Sequence, residues 1–313
     1  MAMAQHSFLS LGRRGFHRLA YTDWGDPQSA HLVLCVHGLS RNSRDFDFLA
    51  NALQPRCRVA CLDVVGRGDS AWLDDPADYR FGTYLADAAA WIARVTTPRP
   101  SSFFSEWQRR MGLARAPERP QIDWVGTSMG GLIGLLLAAK AQSPIRRLVL
   151  NDVGPLVPWQ ALLRLSGHIG QTRFATQEQA QAHLRAACAS FGIDDEAHWA
   201  HLFAHSIAPE GETYVLRYDP ALGQLRRSPD PELPLGPNFM RGVDLWRAWE
   251  AIDCPVLVLR GAQSDVLLPD TVQRMRCKPG VQVLEFEGVG HAPALMNAQQ
   301  IGAVRDFLLH TEP

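Results

Sequence analysis

An α/β fold, with a mostly parallel central sheet covered by helices on both faces and a helical lid inserted before the last two strands, is predicted by three observations. Short continuous apolar runs recur along the 313 residues, as expected of strands buried on both faces. Amphipathic helical patterns separate several of them, which implies parallel pairing through crossover helices. Glycine together with serine, histidine or aspartate follows several runs, where open sheets of this kind bind ligands.

The elements follow in order. Residues 7–23 are expected to form an antiparallel hairpin around Gly12-Arg13-Arg14-Gly15. Leu32–Val36 and Val59–Leu62 are the first buried strands, ending at His37-Gly38 and Asp63. Leu85, Ala88, Trp91, Ile92 and Val95 trace a helical stripe. Ile122–Val125 leads into Gly126, and Leu148–Leu150 ends at Asn151-Asp152. Val256–Leu259 and Val281–Phe286 are the last strands, before a helix marked by Ile301, Val304 and Leu308. Two stretches break the alternation. Residues 98–120, with prolines at 98, 100, 117 and 120, read as a surface insertion around a short helix near Phe103–Met111. Residues 154–251, with helical patterns near 178–191 and 195–206, read as a lid over the carboxyl edge of the sheet. The core is then 1–153 with 252–313.

The chemistry concentrates at Gly126-Thr127-Ser128-Met129-Gly130, a G-x-S-x-G pentapeptide between a strand and the helix-like run from Gly131. So sharp a turn strains its central residue and exposes the serine hydroxyl at the tip. Serine is a poor nucleophile until a base and an oxyanion site stand beside it. His291, in Gly288-Val289-Gly290-His291-Ala292-Pro293, follows the last strand and can take the serine proton. Asp265, in Arg260-Gly261-Ala262-Gln263-Ser264-Asp265, follows the strand before it and can orient the imidazole. The backbone amides of Leu39, after His37-Gly38, and of Met129, after the serine, suit a two-donor oxyanion hole.

These motifs, with Asp63-Val64-Val65-Gly66-Arg67-Gly68-Asp69-Ser70, resemble the α/β-hydrolase superfamily over most of residues 30–310. Within it the chain is similar to capped, carboxylesterase-like members, and serine at 128 departs from the elbow aspartate of haloalkane dehalogenases and epoxide hydrolases. The resemblance implies a triad of Ser128, Asp265 and His291, in the family's order of nucleophile, acid and base. Asp152 is the rival acid, since some members place it after an earlier strand; Asp265 is preferred because it follows the penultimate one. Asp152 is otherwise assigned to the turn before Gly154, and Asp63 and Asp69 to hydrogen bonding within the glycine-rich loop. The activity implied is cofactor-independent hydrolysis of a small-molecule carboxylic ester. Alternatives are C–C bond or enol-lactone hydrolysis by the same triad, or a ligand-binding protein on this scaffold.

Composition limits the other classes. With 46% hydrophobic and 20% charged residues and a net charge of -1, no nucleic-acid footprint is evident. The six cysteines form no C-x-x-C pair, so neither structural zinc nor a redox dithiol is expected. His198, His201 and His205 share helical spacing but lack a zinc motif and read as a partly solvated face. Arg41 and Arg44 read as surface residues. No G-x-G-x-x-G loop follows the first parallel strand, so no dinucleotide cofactor is expected, and no metal. No run approaches the ~20 apolar residues of a membrane span, and no leader is seen, which suits the cytoplasm.

Overall fold

The computed structural model describes residues 3–97, 111, 120–167, 169–227, 233 and 236–309. Its strands are β1 (Ala4–Leu11), β2 (Phe16–Trp24), β3 (His31–Val36), β4 (Arg58–Asp63), β5 (Gln121–Thr127), β6 (Ile145–Asn151), β7 (Leu156–Pro158), β8 (Arg173–Phe174), β9 (Ile207–Glu210), β10 (Thr213–Leu216), β11 (Gly242–Asp244), β12 (Val256–Gly261) and β13 (Val281–Phe286). The α-helices are α1 (Asp47–Leu53), α2 (Phe81–Thr96), α3 (Met129–Ala138), α4 (Trp159–Gly167), α5 (Gln177–Ala187), α6 (Glu196–Ser206), α7 (Trp246–Glu250), α8 (Pro269–Arg276) and α9 (Ala298–Leu309).

Eight strands form the main sheet in the order β1-β2-β4-β3-β5-β6-β12-β13. The hairpin β1–β2 pairs antiparallel at one edge and β2 meets β4 antiparallel; from β4 onward all neighbours are parallel. The apolar runs explain the middle of the sheet. In β3, Leu32 and Leu34 enter one core layer and Val33 and Cys35 the other, so both faces need apolar side chains. The layers divide the helices: Ala88, Trp91 and Val95 of α2 pack on one face, Leu49 and Leu53 of α1 with Val304 and Leu308 of α9 on the other. The last strand, β13, is the other edge and is only partly covered, which is why its sequence alternates more.

None of the elements between β6 and β12 joins the main sheet. This inserted segment carries α4 to α7, but it is not purely helical: β8, β10 and β9 form a small sheet, and β11 pairs with β7. Short strands with no sustained alternation gave no readable sequence signal. The surface insertion expected at 98–120 falls almost wholly outside the described residues, as does its short helix. Among the described residues no helix is long and apolar enough to cross a membrane.

Candidate active site

The turn between β5 and α3 has the strained geometry its sequence demands. Ser128 holds φ 51° and ψ −115°, a region that costs a non-glycine residue on the order of 1–3 kcal/mol. The glycines around it make the close approach feasible. A Cβ on Gly126 would lie 2.3 Å from the Gly130 carbonyl oxygen, and one on Gly130 would lie 2.0 Å from that of Val36. The turn is tied to the neighbouring strand end by the Ser128 N–H, which donates to the Asn151 carbonyl at 3.0 Å. Asn151 ties down more: its side-chain amide donates to Thr127 Oγ1 at 3.0 Å and to the Pro293 carbonyl at 2.8 Å. One buried amide thus couples the serine turn to the histidine loop.

His291 reaches the serine from the loop after β13, with Nε2 2.8 Å from Ser128 Oγ. Its other nitrogen, Nδ1, lies 2.7 Å from Asp152 Oδ2. Asp152 is fully buried and left-handed at φ 56°, just past the end of β6. Its carboxylate is aimed by two further donors, the Gly261 N–H to Oδ1 at 2.9 Å and the Ser264 hydroxyl to Oδ2 at 2.6 Å. The inserted segment steadies the histidine loop. The Ser190 hydroxyl donates to the His291 carbonyl at 2.9 Å, and the Gly290 N–H donates to the Ser190 carbonyl at 2.7 Å.

The expectation that Asp265 contacts His291 is corrected by this geometry. Asp265 does follow β12, but its side chain is about half exposed and accepts a bidentate pair from Arg164 of α4, at 2.5 and 2.6 Å. That guanidinium holds its carboxyl below the usual aspartate range. The physical reason lies outside the local motif. Arg164 gives Asp265 a partner at the rim, while Ser264 and the amide of Gly261 turn Asp152 toward the imidazole. Asp152 was legible as the rival acid, after an earlier strand; what singles it out in space is the Ser264 hydroxyl, which donates to it from 112 residues away.

The loop after β3 lies against the serine turn: a Cβ on Gly38 would stand 3.7 Å from Ser128 Cβ. His37 shapes this loop from beneath. Its Nδ1–H donates to the Gly38 carbonyl at 2.7 Å, and Nε2 accepts from the Val64 N–H at 3.0 Å. Accepting at Nε2 requires a neutral ring, and burial pushes its pKa down to about 3. Arg67, missed by the sequence reading, joins the two residues expected to supply oxyanion donors. Fully buried, it donates to the Leu39 carbonyl at 2.8 Å and reaches Met129 Sδ at 3.7 Å. It also donates to the Val65 carbonyl and the Tyr84 hydroxyl. Arg41, read as a surface residue, is instead buried in the pocket wall and bound by Asp45 through two hydrogen bonds. Asp63 accepts from the amides of Ser43 and Asp69, fixing the glycine-rich loop as expected.

A pocket opens over Ser128 and His291 between the main sheet and the inserted segment. Its apolar lining includes Leu165, Leu184, Phe191 and Leu202 of the inserted segment, with Leu39, Phe46 and Met296 of the core. The arrangement suits acyl transfer: a serine lining the pocket, a base within hydrogen-bond reach, a carboxylate orienting that base, and backbone amides close by.

The whole chain is similar to known proteins. The family model described as "Alpha/beta hydrolase family" matches residues 33–304. A 3-hydroxybutyrate-oligomer hydrolase of Cupriavidus necator is 40% identical over 299 residues, 94% of this chain and 93% of that protein. A pimeloyl-[acyl-carrier protein] methyl ester esterase of Neisseria meningitidis is 24% identical over 286 residues, 90% of this chain and 95% of that one. An α/β hydrolase structure from Novosphingobium aromaticivorans superposes with a TM-score of 0.77 at 31% identity, covering 98% of this chain and 99% of that chain. The chain belongs to the α/β hydrolase family and is an enzyme, a carboxylesterase-like hydrolase.

Proposed function

We propose that the enzyme cleaves carboxylic esters through an acyl-enzyme, with Ser128 as nucleophile, His291 as general base and acid, and Asp152 as the orienting carboxylate. The observation that carries this is the continuous relay, 2.8 Å from Ser128 Oγ to His291 Nε2 and 2.7 Å from Nδ1 to Asp152. His291 takes the serine proton as Oγ attacks the carbonyl carbon, and Asp152 stabilises the imidazolium. The amides of Leu39 and Met129 hold the developing oxyanion, worth about 10²–10³ in rate per donor. His291 then protonates the departing alcohol, takes a proton from water and lets hydroxide release the acid.

The substrate class we propose is a short oligoester of hydroxy acids. Support comes from the 40% identity to a 3-hydroxybutyrate-oligomer hydrolase across nearly the whole chain. A pocket lined by both aliphatic residues and the polar Arg41–Asp45 pair suits a chain alternating short branches with ester carbonyls. Residues 154–251 act as its lid over the core of 1–153 and 252–313, screening the site from bulk solvent while admitting the water that His291 activates. The test is hydrolysis of 3-hydroxybutyrate dimer and trimer beside p-nitrophenyl esters by the wild type and Ser128→Ala. Release of acid that disappears in the variant supports the reading. Undiminished hydrolysis by Ser128→Ala removes it, and activity confined to a ring-fission dienone would move the bond cleaved to C–C.

A further inference from the structure

The histidines of α6 offer a second site, away from Ser128. His201 and His205 stand four residues apart, so they share one face of the helix, and their ring centroids are 4.5 Å apart. That face meets Asp47, the first residue of α1. His201 Nε2 lies 3.4 Å from Asp47 Oδ2, close to the spacing of about 3.3 Å between ligand atoms of a tetrahedral zinc with bonds near 2.0–2.1 Å. Taken together, one ligand atom from each of the three residues lies within 4.8 Å of the others. We propose that Asp47, His201 and His205 bind a divalent transition metal of the Zn²⁺ type, tetrahedral with water as the fourth ligand.

The chemistry of the donors fits. Two imidazoles and one carboxylate suit zinc-like ions rather than calcium or magnesium, which take oxygen. His201 contacts the Arg44 carbonyl at 3.0 Å, so metal binding moves its remaining ring proton to Nδ1. Asp47 is held by Arg44 Nε at 2.8 and 3.0 Å; the metal takes the place of that guanidinium, and the two cations compete. The site would join the inserted segment to the core. Asp45 and Phe46, next to Asp47, line the pocket over Ser128, so a bound metal would fix one pocket wall without touching the triad.

The test is titration of the full-length, metal-free protein with ZnCl₂ by calorimetry, and with Co²⁺ by absorption, for the wild type, Asp47→Asn, His205→Ala and Arg44→Gln. One equivalent is expected to bind the wild type. The cobalt spectrum should show tetrahedral d–d bands without a thiolate charge-transfer band, which separates this site from binding at the exposed Cys277. Asp47→Asn and His205→Ala should each lose at least tenfold in affinity while still melting cooperatively without metal, and Arg44→Gln should bind more tightly. No binding by the wild type, a thiolate spectrum, or wild-type affinity in either ligand variant overturns the proposal; weaker binding by Arg44→Gln overturns the competition.

Discussion

Substituting the two candidate acids separately discriminates the relay most sharply. In Asp152→Asn the side chain keeps its shape, and its oxygen, at the Oδ1 position, can still accept from the Gly261 N–H, while the Oδ2 position that meets both Ser264 and His291 becomes an NH₂. Its amide nitrogen, however, then faces His291 Nδ1, which lies 2.7 Å from the carboxylate in the native site. The imidazole must then accept at Nδ1 and carry its proton on Nε2, the nitrogen 2.8 Å from Ser128. A base protonated where it should accept cannot take the serine proton. The expected fall in kcat is about 10⁴-fold, or about 5.4 kcal/mol of transition-state stabilisation. Asp265→Asn removes only a half-exposed pair with Arg164; such pairs are worth at most about 1 kcal/mol, so kcat/KM should stay within about fivefold. The assay is steady-state hydrolysis of a p-nitrophenyl ester, with thermal melts to show that both variants fold. A thousandfold loss in Asp265→Asn beside a nearly unchanged Asp152→Asn would refute the reasoning.

Three further predictions test the scaffold around the relay. Gly130→Ala should destabilise the fold by more than about 3 kcal/mol, beyond most single substitutions, because the added Cβ would stand 2.0 Å from a strand carbonyl; a melting temperature like that of the wild type would contradict this. Arg67→Lys loses the planar fork that spans the Leu39 and Val65 carbonyls, so kcat should fall about a hundredfold with little change in KM; a selective rise in KM would place Arg67 in substrate binding instead. His37 makes stability depend on pH. Its folded pKa, about 3 through burial, lies below the ~6.5 of an unfolded histidine, so the unfolded chain binds more protons between those values and stability falls as pH falls. From pH 6.5 to 5.0 the wild type should lose about 2 kcal/mol more in urea unfolding than His37→Asn, and parallel losses in the two proteins would show that His37 is not the group responsible.

What the sequence could and could not reveal follows from how far each feature's causes extend along the chain. The central strands were legible because β3 and β4 must be apolar on both faces, and the serine turn because its sharpness dictates Gly126 and Gly130 within five residues. His291 was legible for a similar reason, since a histidine in a glycine loop after the last strand has few other uses. The acid differs in kind. Asp152 and Asp265 each end a strand beside the histidine, and local sequence is equally compatible with either. Their difference comes from Arg164 and Ser264: one lies in an inserted segment whose short strands and helices carry weak periodicity, the other is a small hydroxyl residue that could do nothing or everything. The same holds for Arg67 and His201, polar side chains that meet partners 17 to 157 residues away. An apolar core can be predicted from periodicity because any apolar neighbour will serve, whereas a buried polar group is stable only against one particular partner. Active-site geometry is built almost entirely from the second kind of contact, so the carboxylate is where family resemblance and three-dimensional pairing part company, and the Asp152 and Asp265 variants are where that difference becomes a rate.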